Sequence, residues 1–282
     1  MQENNWDIIV KPSNAGLRIN FGELWRYKDL IGLMVKRDIT SVYKQTVLGP
    51  LWMLIQPAFT TAIYYFTFSL NAGISTDGLP PILFYLFGVT FWNYFADCFT
   101  KTANTFISNA AVFGKVYFPR LVMPISVVLS NLVKLGIQLS LLLIIYTWYL
   151  FQTDTIQIQV YFLWLPVVCL FMIGLFSLSL GILFSAYTTK YRDLTFLLGF
   201  AIQLLMFASC VVFPVSMYSP RVQEFLLYNP MVAYLESMKY TLMGHGIISA
   251  QHLIVDSLMV VLLFYIAFRK FSSTEKTFMD TV

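Results

Sequence analysis

Polar and apolar residues fall in long blocks along this chain, not at the short periods of a soluble fold. Residues 1–45 are largely polar, and from Val47 to Thr76 no charge occurs. The run VLGPLWMLIQPAFTTAIYYFTFSL can cross a hydrocarbon core of about 30 Å in spite of Pro50 and Pro57. After a turn with Asp77, Gly78, Pro80 and Pro81, a second apolar stretch runs over about 82–105 and carries Asp97 and Lys101 near its end. Residues 106–120 read as a connector. Further blocks cover about 121–151 with Lys134, 161–187 after the strip QTDTIQIQ, 194–214 after TTKYRD, and 253–268 with Asp256. The pattern predicts an all-α integral membrane protein with six transmembrane helices, near 47–70, 82–105, 121–151, 161–187, 194–214 and 253–268, in one transmembrane domain over 46–282.

Two segments differ from simple spans. FLLYNPMVAYL (225–235) and YTLMGHGIIS (240–249) flank Glu236 and Lys239, and each is too short to cross. They predict a re-entrant or interfacial hairpin over about 215–250 on the external side. Ahead of the first span, ELWRYKDLIGLMVKRDI (23–39) is amphipathic at helical spacing: Leu24, Tyr27, Ile31, Met34 and Val35 fall on one side, Arg26, Asp29, Lys36 and Arg37 on the other, with Leu33 the main exception. It is expected to lie in the membrane interface, apolar side toward the headgroups.

Composition sharpens this. With 58% hydrophobic, 17% aromatic and 11% charged residues in 282, and a mean hydropathy of +0.71, most of the surface does not face water. That excludes an ordinary cytosolic enzyme. The eighteen basic residues explain the net charge of +4. Seven precede the first span, Lys101, Lys115 and Arg120 surround the second connector, Lys190 and Arg192 lie before the fifth span, and Arg269, Lys270 and Lys276 end the chain. Only Arg221 and Lys239 fall on the other side, with Lys134 inside a span. This asymmetry predicts both termini in the cytoplasm and makes the positive charge an orientation device that needs no nucleic acid. Residues 1–45 lack the short apolar core of a signal peptide. Cys98, Cys169 and Cys210 read as small buried hydrophobes.

Catalytic material is sparse. Gly114-Lys115 is followed by Val116 without the upstream glycine of a phosphate-binding loop. His245 and His252 have no HExxH pattern or carboxylate cluster around them, so no metal or nucleophile site is expected. Any energy for work comes from a gradient or another chain.

The run RDITSVYKQTVLGPLWMLIQP (37–57), with FWNYF (91–95), KVYFPRLVMP (115–124), KYRD (190–193) and YNP (228–230), resembles the type-2 permeases of ATP-binding-cassette polysaccharide exporters in order and spacing over nearly the whole chain. The resemblance implies a bacterial inner-membrane homodimer enclosing a channel and seated on two copies of a separate ATPase subunit, which binds ATP and Mg; this chain would hold no cofactor. It implies a lipid-linked glycan as substrate, as in O-antigen export. Arg26, Lys36, Arg37, Asp38, Lys115, Arg120, Arg192 and Asp193 would form the interface to the ATPase. Tyr43, Lys44, Gly49 and Trp52 would meet the lipid headgroup, and Tyr228, Asn229 and Pro230 would belong to the external gate. The residue before Tyr43 is often basic in this family; here it is Val42, for which Lys44 could substitute.

Sugars present C–H faces to aromatic rings, so a ring-lined path lets a chain slide. Phe84, Phe87, Phe91 and Phe95 share one stripe of the second span, with Tyr85, Trp92 and Tyr94 alongside, and Tyr64, Tyr65 and Phe66 of the first span could face them. Packing within the bundle is the alternative for each ring. Lys134 in a span costs about 2.5–3.5 kcal/mol, so it should face an anion or a wet cavity. Asp97 is the counter-ion candidate if Lys134 snorkels a turn or two along the bundle; contact with substrate is the other reading. One buried lysine favours a neutral glycan over a polyanion. Other functions are weaker: a related permease for a small drug or lipid, a membrane glycosyl or acyl transferase, which would show acidic or histidine clusters in its loops, or a channel or gradient-driven carrier, which would show an internal repeat.

Overall fold

The computed structural model describes residues 21–44, 48–113, 115, 118–188, 190–191 and 193–277. Twelve α-helices follow one another in the described residues: α1 Phe21–Arg26, α2 Lys28–Lys44, α3 Leu51–Tyr64, α4 Pro81–Ala103, α5 Thr105–Ser108, α6 Ala110–Phe113, α7 Val122–Gln152, α8 Leu165–Thr188, α9 Leu194–Ala208, α10 Pro220–Leu226, α11 Pro230–Met243 and α12 Ala250–Thr277. Among the described residues, four stretches are long and apolar enough to cross a membrane: α4, α7, Val160–Thr188 and Ala250–Ser273.

The other two expected spans take different forms. α3 continues without a break into a π-helical stretch, Tyr65–Asn71, so the first apolar block is helical over 51–71 but changes its winding two thirds of the way along. α9 stops at Ala208, six residues short of the expected end. Its 15 residues reach about 22 Å, less than a hydrocarbon core. The chain turns there because Cys210 adopts a positive φ of 53° and Pro214 follows, while Val211 and Val212 bury themselves.

α3 also shows how a proline survives inside an apolar helix. Pro57 has no N–H to give the carbonyl of Met53, which would be left unpaired in lipid. The Gln138 side chain on α7 donates to that oxygen at 3.2 Å and is itself buried. A sequence fault in one helix is thus mended by a polar residue on another, which also ties the two together.

α4 is the centre of the bundle, flanked by α3, α7, α8 and α9. Its aromatic residues form the main core with Leu135 and Leu142 of α7 and Cys169 and Ile173 of α8. α4 and α8 touch so closely that a Cβ on Gly181 would lie 2.5 Å from the Thr102 Cβ, a distance no side chain tolerates. A second core gathers at the connector end: Phe106, Phe113, Phe118, Val122 and Phe271, with Leu24, Tyr27, Leu30, Ile31 and Met34 of the N-terminal helices packed on it. The amphipathic face read from the sequence therefore docks on the protein, not on headgroups alone. Leu33, the exception to that face, points outward and is exposed.

Between α9 and α12, α10 and α11 are joined at Leu227–Asn229, and α11 is a single 14-residue helix running straight through the two charges expected to divide two short pieces. Its last carbonyls are met by the loop before α8: Gln157 N–H donates to Met243 O at 3.1 Å and Gln159 N–H to Thr241 O at 2.9 Å.

Candidate functional site

The residues expected to meet a cytoplasmic partner sit on the connector end, on two surfaces. Arg26, Lys36 and Arg37 are exposed along the outer side of α1 and α2. Arg37 donates to Asp38 at 2.8 Å, and the second Asp38 oxygen accepts from Ser130 of α7 at 3.4 Å, so the Arg-Asp pair links the outward face of α2 to the bundle. Arg120 covers the rings of Phe106 and Phe113 at 6.0 and 5.7 Å, which places its charge on the second core. Lys115 and Asp193 are exposed, the latter one residue before α9; Arg192 lies outside the described residues.

Of the residues assigned to the headgroup, Tyr43 and Lys44 form the last turn of α2. Gly49 holds φ +49°, a left-handed conformation with open space around it, so the turn between α2 and α3 needs glycine for its backbone and not for room. Trp52 is half exposed at the start of α3.

The rings of the aromatic stripe pack within the bundle, the alternative kept open for each of them. Phe84, Phe87, Phe91, Trp92 and Phe95 are only 1–4% exposed, and they contact one another and α8: Phe95 stacks on Phe176 at 5.3 Å. They belong to the core of this chain. Helical spacing located the stripe correctly on one side of α4 but could not say that the remaining sides are covered too. Tyr64 packs against Tyr85 at 6.1 Å, and Tyr65 is half-buried beside the same core. The exposed rings of α3 and its π-helical continuation are Trp52, Phe59 and Phe66, at seven-residue intervals, and those of α9 are Phe196, Phe200 and Phe207.

Lys134 and Asp97 pair directly at 2.6 Å, with 21% and 33% of their side chains exposed. The reach of the lysine side chain absorbs the offset in depth inferred from counting. One turn away, Lys101 donates to Asn131 at 2.9 Å. At the opposite end Asn229 explains the YNP motif. Its Oδ1 accepts from Met231 N–H at 3.1 Å, capping α11, while Pro230 starts the helix where no N–H is needed. Its Nδ2 donates to Ala208 O at 3.2 Å and so ties α11 to the end of α9; Tyr228 lies against His252 at 4.8 Å.

Sequence reasoning overlooked a second ion pair. Glu236 and Lys239, expected as loop charges, are 2% and 6% exposed and bonded to each other within α11. The other Glu236 oxygen accepts from Ile247 N–H at 3.2 Å, and the Lys239 ammonium sits 4.8 Å from the Phe84 ring centre. Their i, i+3 spacing, with no other Asp, Glu, Lys or Arg from Phe225 to Val255, was the available signal.

Long apolar helices around a sealed core, with charges gathered at the two ends, define a multi-pass membrane protein. The chain belongs to the ABC-2 type transporter family, whose model matches residues 29–243. It is 27% identical to the O-antigen export system permease protein RfbA of Myxococcus xanthus over 263 residues, covering 92% of this chain and 98% of that protein. It is 26% identical to an RfbA of the same description from Klebsiella pneumoniae over 84% of this chain and 87% of that one, and 22% identical to the polysialic acid transport protein KpsM of Escherichia coli over 73% and 78%.

Proposed function

We propose that this chain is the transmembrane permease subunit of an ATP-driven exporter that moves a lipid-linked, O-antigen-like polysaccharide across the bacterial inner membrane. Two copies enclose the channel and stand on two copies of a separate ATPase subunit, which binds ATP and Mg and carries out the hydrolysis. Six crossings per copy, with the first changing winding and the fifth short, put both termini and the connector on the cytoplasmic side, as the basic residues favour. The segment around α10 and α11 closes the external side.

The observation that carries this reading is the docking of α1 and α2. Their apolar side is buried against the connector and the end of α12, while Arg26, Lys36 and Arg37 face outward. A push on that outer face by a subunit closing on ATP is delivered to the bundle through packed side chains, not through lipid. The rings Trp52, Phe59 and Phe66 of the first span, with Phe196, Phe200 and Phe207 of α9, are free of the protomer's core and face the partner copy across the channel, where a glycan can slide over them. Replacing Arg37, Asp38 and Arg120 together by alanine should abolish export of the glycan in cells and leave membrane insertion unchanged. Unaltered export by the triple variant would defeat the coupling role, and ATP hydrolysis by the purified chain alone would defeat the permease assignment.

A further inference from the structure

α2, α3, α4 and α7 leave a cleft between them at the connector end, lined by Asp38, Met53, Lys101, Ser130, Asn131 and Lys134, with a volume of about 40 Å³. Its charges are not all matched. Arg37 holds Asp38 and Asp97 holds Lys134, whereas Lys101 reaches only the neutral amide oxygen of Asn131 and has no carboxylate within ion-pair distance among the described residues. One positive charge is therefore left over beside a serine hydroxyl and a second lysine that is a fifth exposed.

The depth of the cleft specifies its surroundings. At the far end of α7, Trp148 and Phe151 are exposed, and with Tyr161 and Trp164 they make the aromatic belt of one membrane boundary. A hydrocarbon core of about 30 Å takes about 20 residues of helix, which brings the opposite boundary to about residue 130. Ser130 and Asn131 thus stand at the headgroup boundary, and Lys134, about one turn deeper, reaches it with its side chain. Below the cleft toward the bilayer centre, α7 turns Val133 and Gly136 outward, and a Cβ on Gly136 would meet nothing within 4 Å, so an open apolar notch continues from the polar cleft.

We infer that this cleft binds the phosphate of one anionic glycerophospholipid of the surrounding leaflet, with Lys101 as its counter-ion, Lys134 as a further donor, and an acyl chain along Val133 and Gly136. A basic pocket between transmembrane helices at headgroup level is the form that anionic lipid sites take. Because Asp38 lines the same cleft and links it to α2, a bound headgroup braces α2 against α7. The assignment is independent of what the protein transports.

The test uses the full chain in detergent, titrated with short-chain phosphatidylglycerol or phosphatidylcholine and read by native mass spectrometry. One phosphatidylglycerol should be retained per chain in preference to phosphatidylcholine. Lys101→Gln should weaken its retention about tenfold, the loss expected for one charge-assisted bond, while Lys101→Arg keeps it. Val133→Trp, which fills the notch without changing charge, should also weaken retention, and Lys190→Gln should not. Equal retention of the two lipids, or a Lys101→Gln chain that binds as the native one does, overturns the site. The same titration with geranylgeranyl pyrophosphate separates the two lipid sources: Lys101-dependent retention of the pyrophosphate without that of phosphatidylglycerol overturns the assignment to a bilayer phospholipid.

Discussion

Asp97–Lys134 and Glu236–Lys239 are two lysine–carboxylate pairs of this bundle, and they do different things. Asp97–Lys134 joins two helices, α4 and α7, and keeps a fifth to a third of each side chain in contact with solvent or headgroups. Glu236–Lys239 lies within one helix and is shut off, and its real partners are outside that helix: the Ile247 N–H and the Phe84 ring. The first is a link between elements that water can relieve. The second is a hub on which α11, the turn before α12 and the start of α4 converge, and each charge is buried with little but the other to balance it.

The difference sets the size of the effects that would break it. Lys239→Met leaves Glu236 buried without its cation and should destabilise the fold by about 3–5 kcal/mol, read as thermal unfolding in detergent. Combining it with Glu236→Gln, which retains an acceptor for Ile247, should restore most of that. Losses that simply add would mean the pair is not a unit. Exchanging the charges sharpens the contrast: Glu236→Lys with Lys239→Glu should fail, because Ile247 loses its acceptor and Phe84 its cation, whereas Asp97→Lys with Lys134→Asp should fold with nearly native stability.

A smaller effect isolates the mended proline. Gln138→Leu should cost about 1–2 kcal/mol by orphaning the Met53 carbonyl, and adding Pro57→Ala should recover most of it by restoring the missing N–H. If the proline replacement brings nothing back, Gln138 acts by packing alone. Asn229→Ala removes a cap and a link to α9 and should cost about 1 kcal/mol. Smallest of all, the coupling between Asp97 and Lys134 in a double-mutant cycle should be within about 1 kcal/mol and shrink as salt rises from 0.15 to 1 M, while that of Glu236 with Lys239 stays constant.

The blocks of hydropathy made the helices legible because a bilayer selects for length and absence of charge, and both are properties of the sequence alone. What the blocks could not convey is which helix is inside. α4 has the lowest mean hydropathy of the four long apolar stretches, 1.3, yet it is the most enclosed. Lipid and protein interior are equally apolar, so the rings of Phe84 to Phe95 carried no mark to tell a channel wall from a core. The end of α9 at Ala208 was equally hidden, since the residues after it, Val211 and Val212, are as apolar as those before. The YNP motif, taken from the sequence only as a likeness to a family, turns out to encode local geometry, since Asn229 caps α11 and Pro230 begins it. The buried hub was missed because its charges were counted as loop residues once the segment around them had been judged too short to cross.

The π-helical stretch Tyr65–Asn71 continues α3 with a different winding. Hydrogen bonds that reach back five residues put more of the chain into each turn, so the outer third of this helix presents a sequence register that an α-helix of the same residues would not. Were these seven residues to rewind as α-helix, Phe66 and Leu70 would swing around the axis while Trp52 and Phe59 stayed in place. The winding of these seven residues therefore sets how the rings at the two ends of the helix are turned relative to one another.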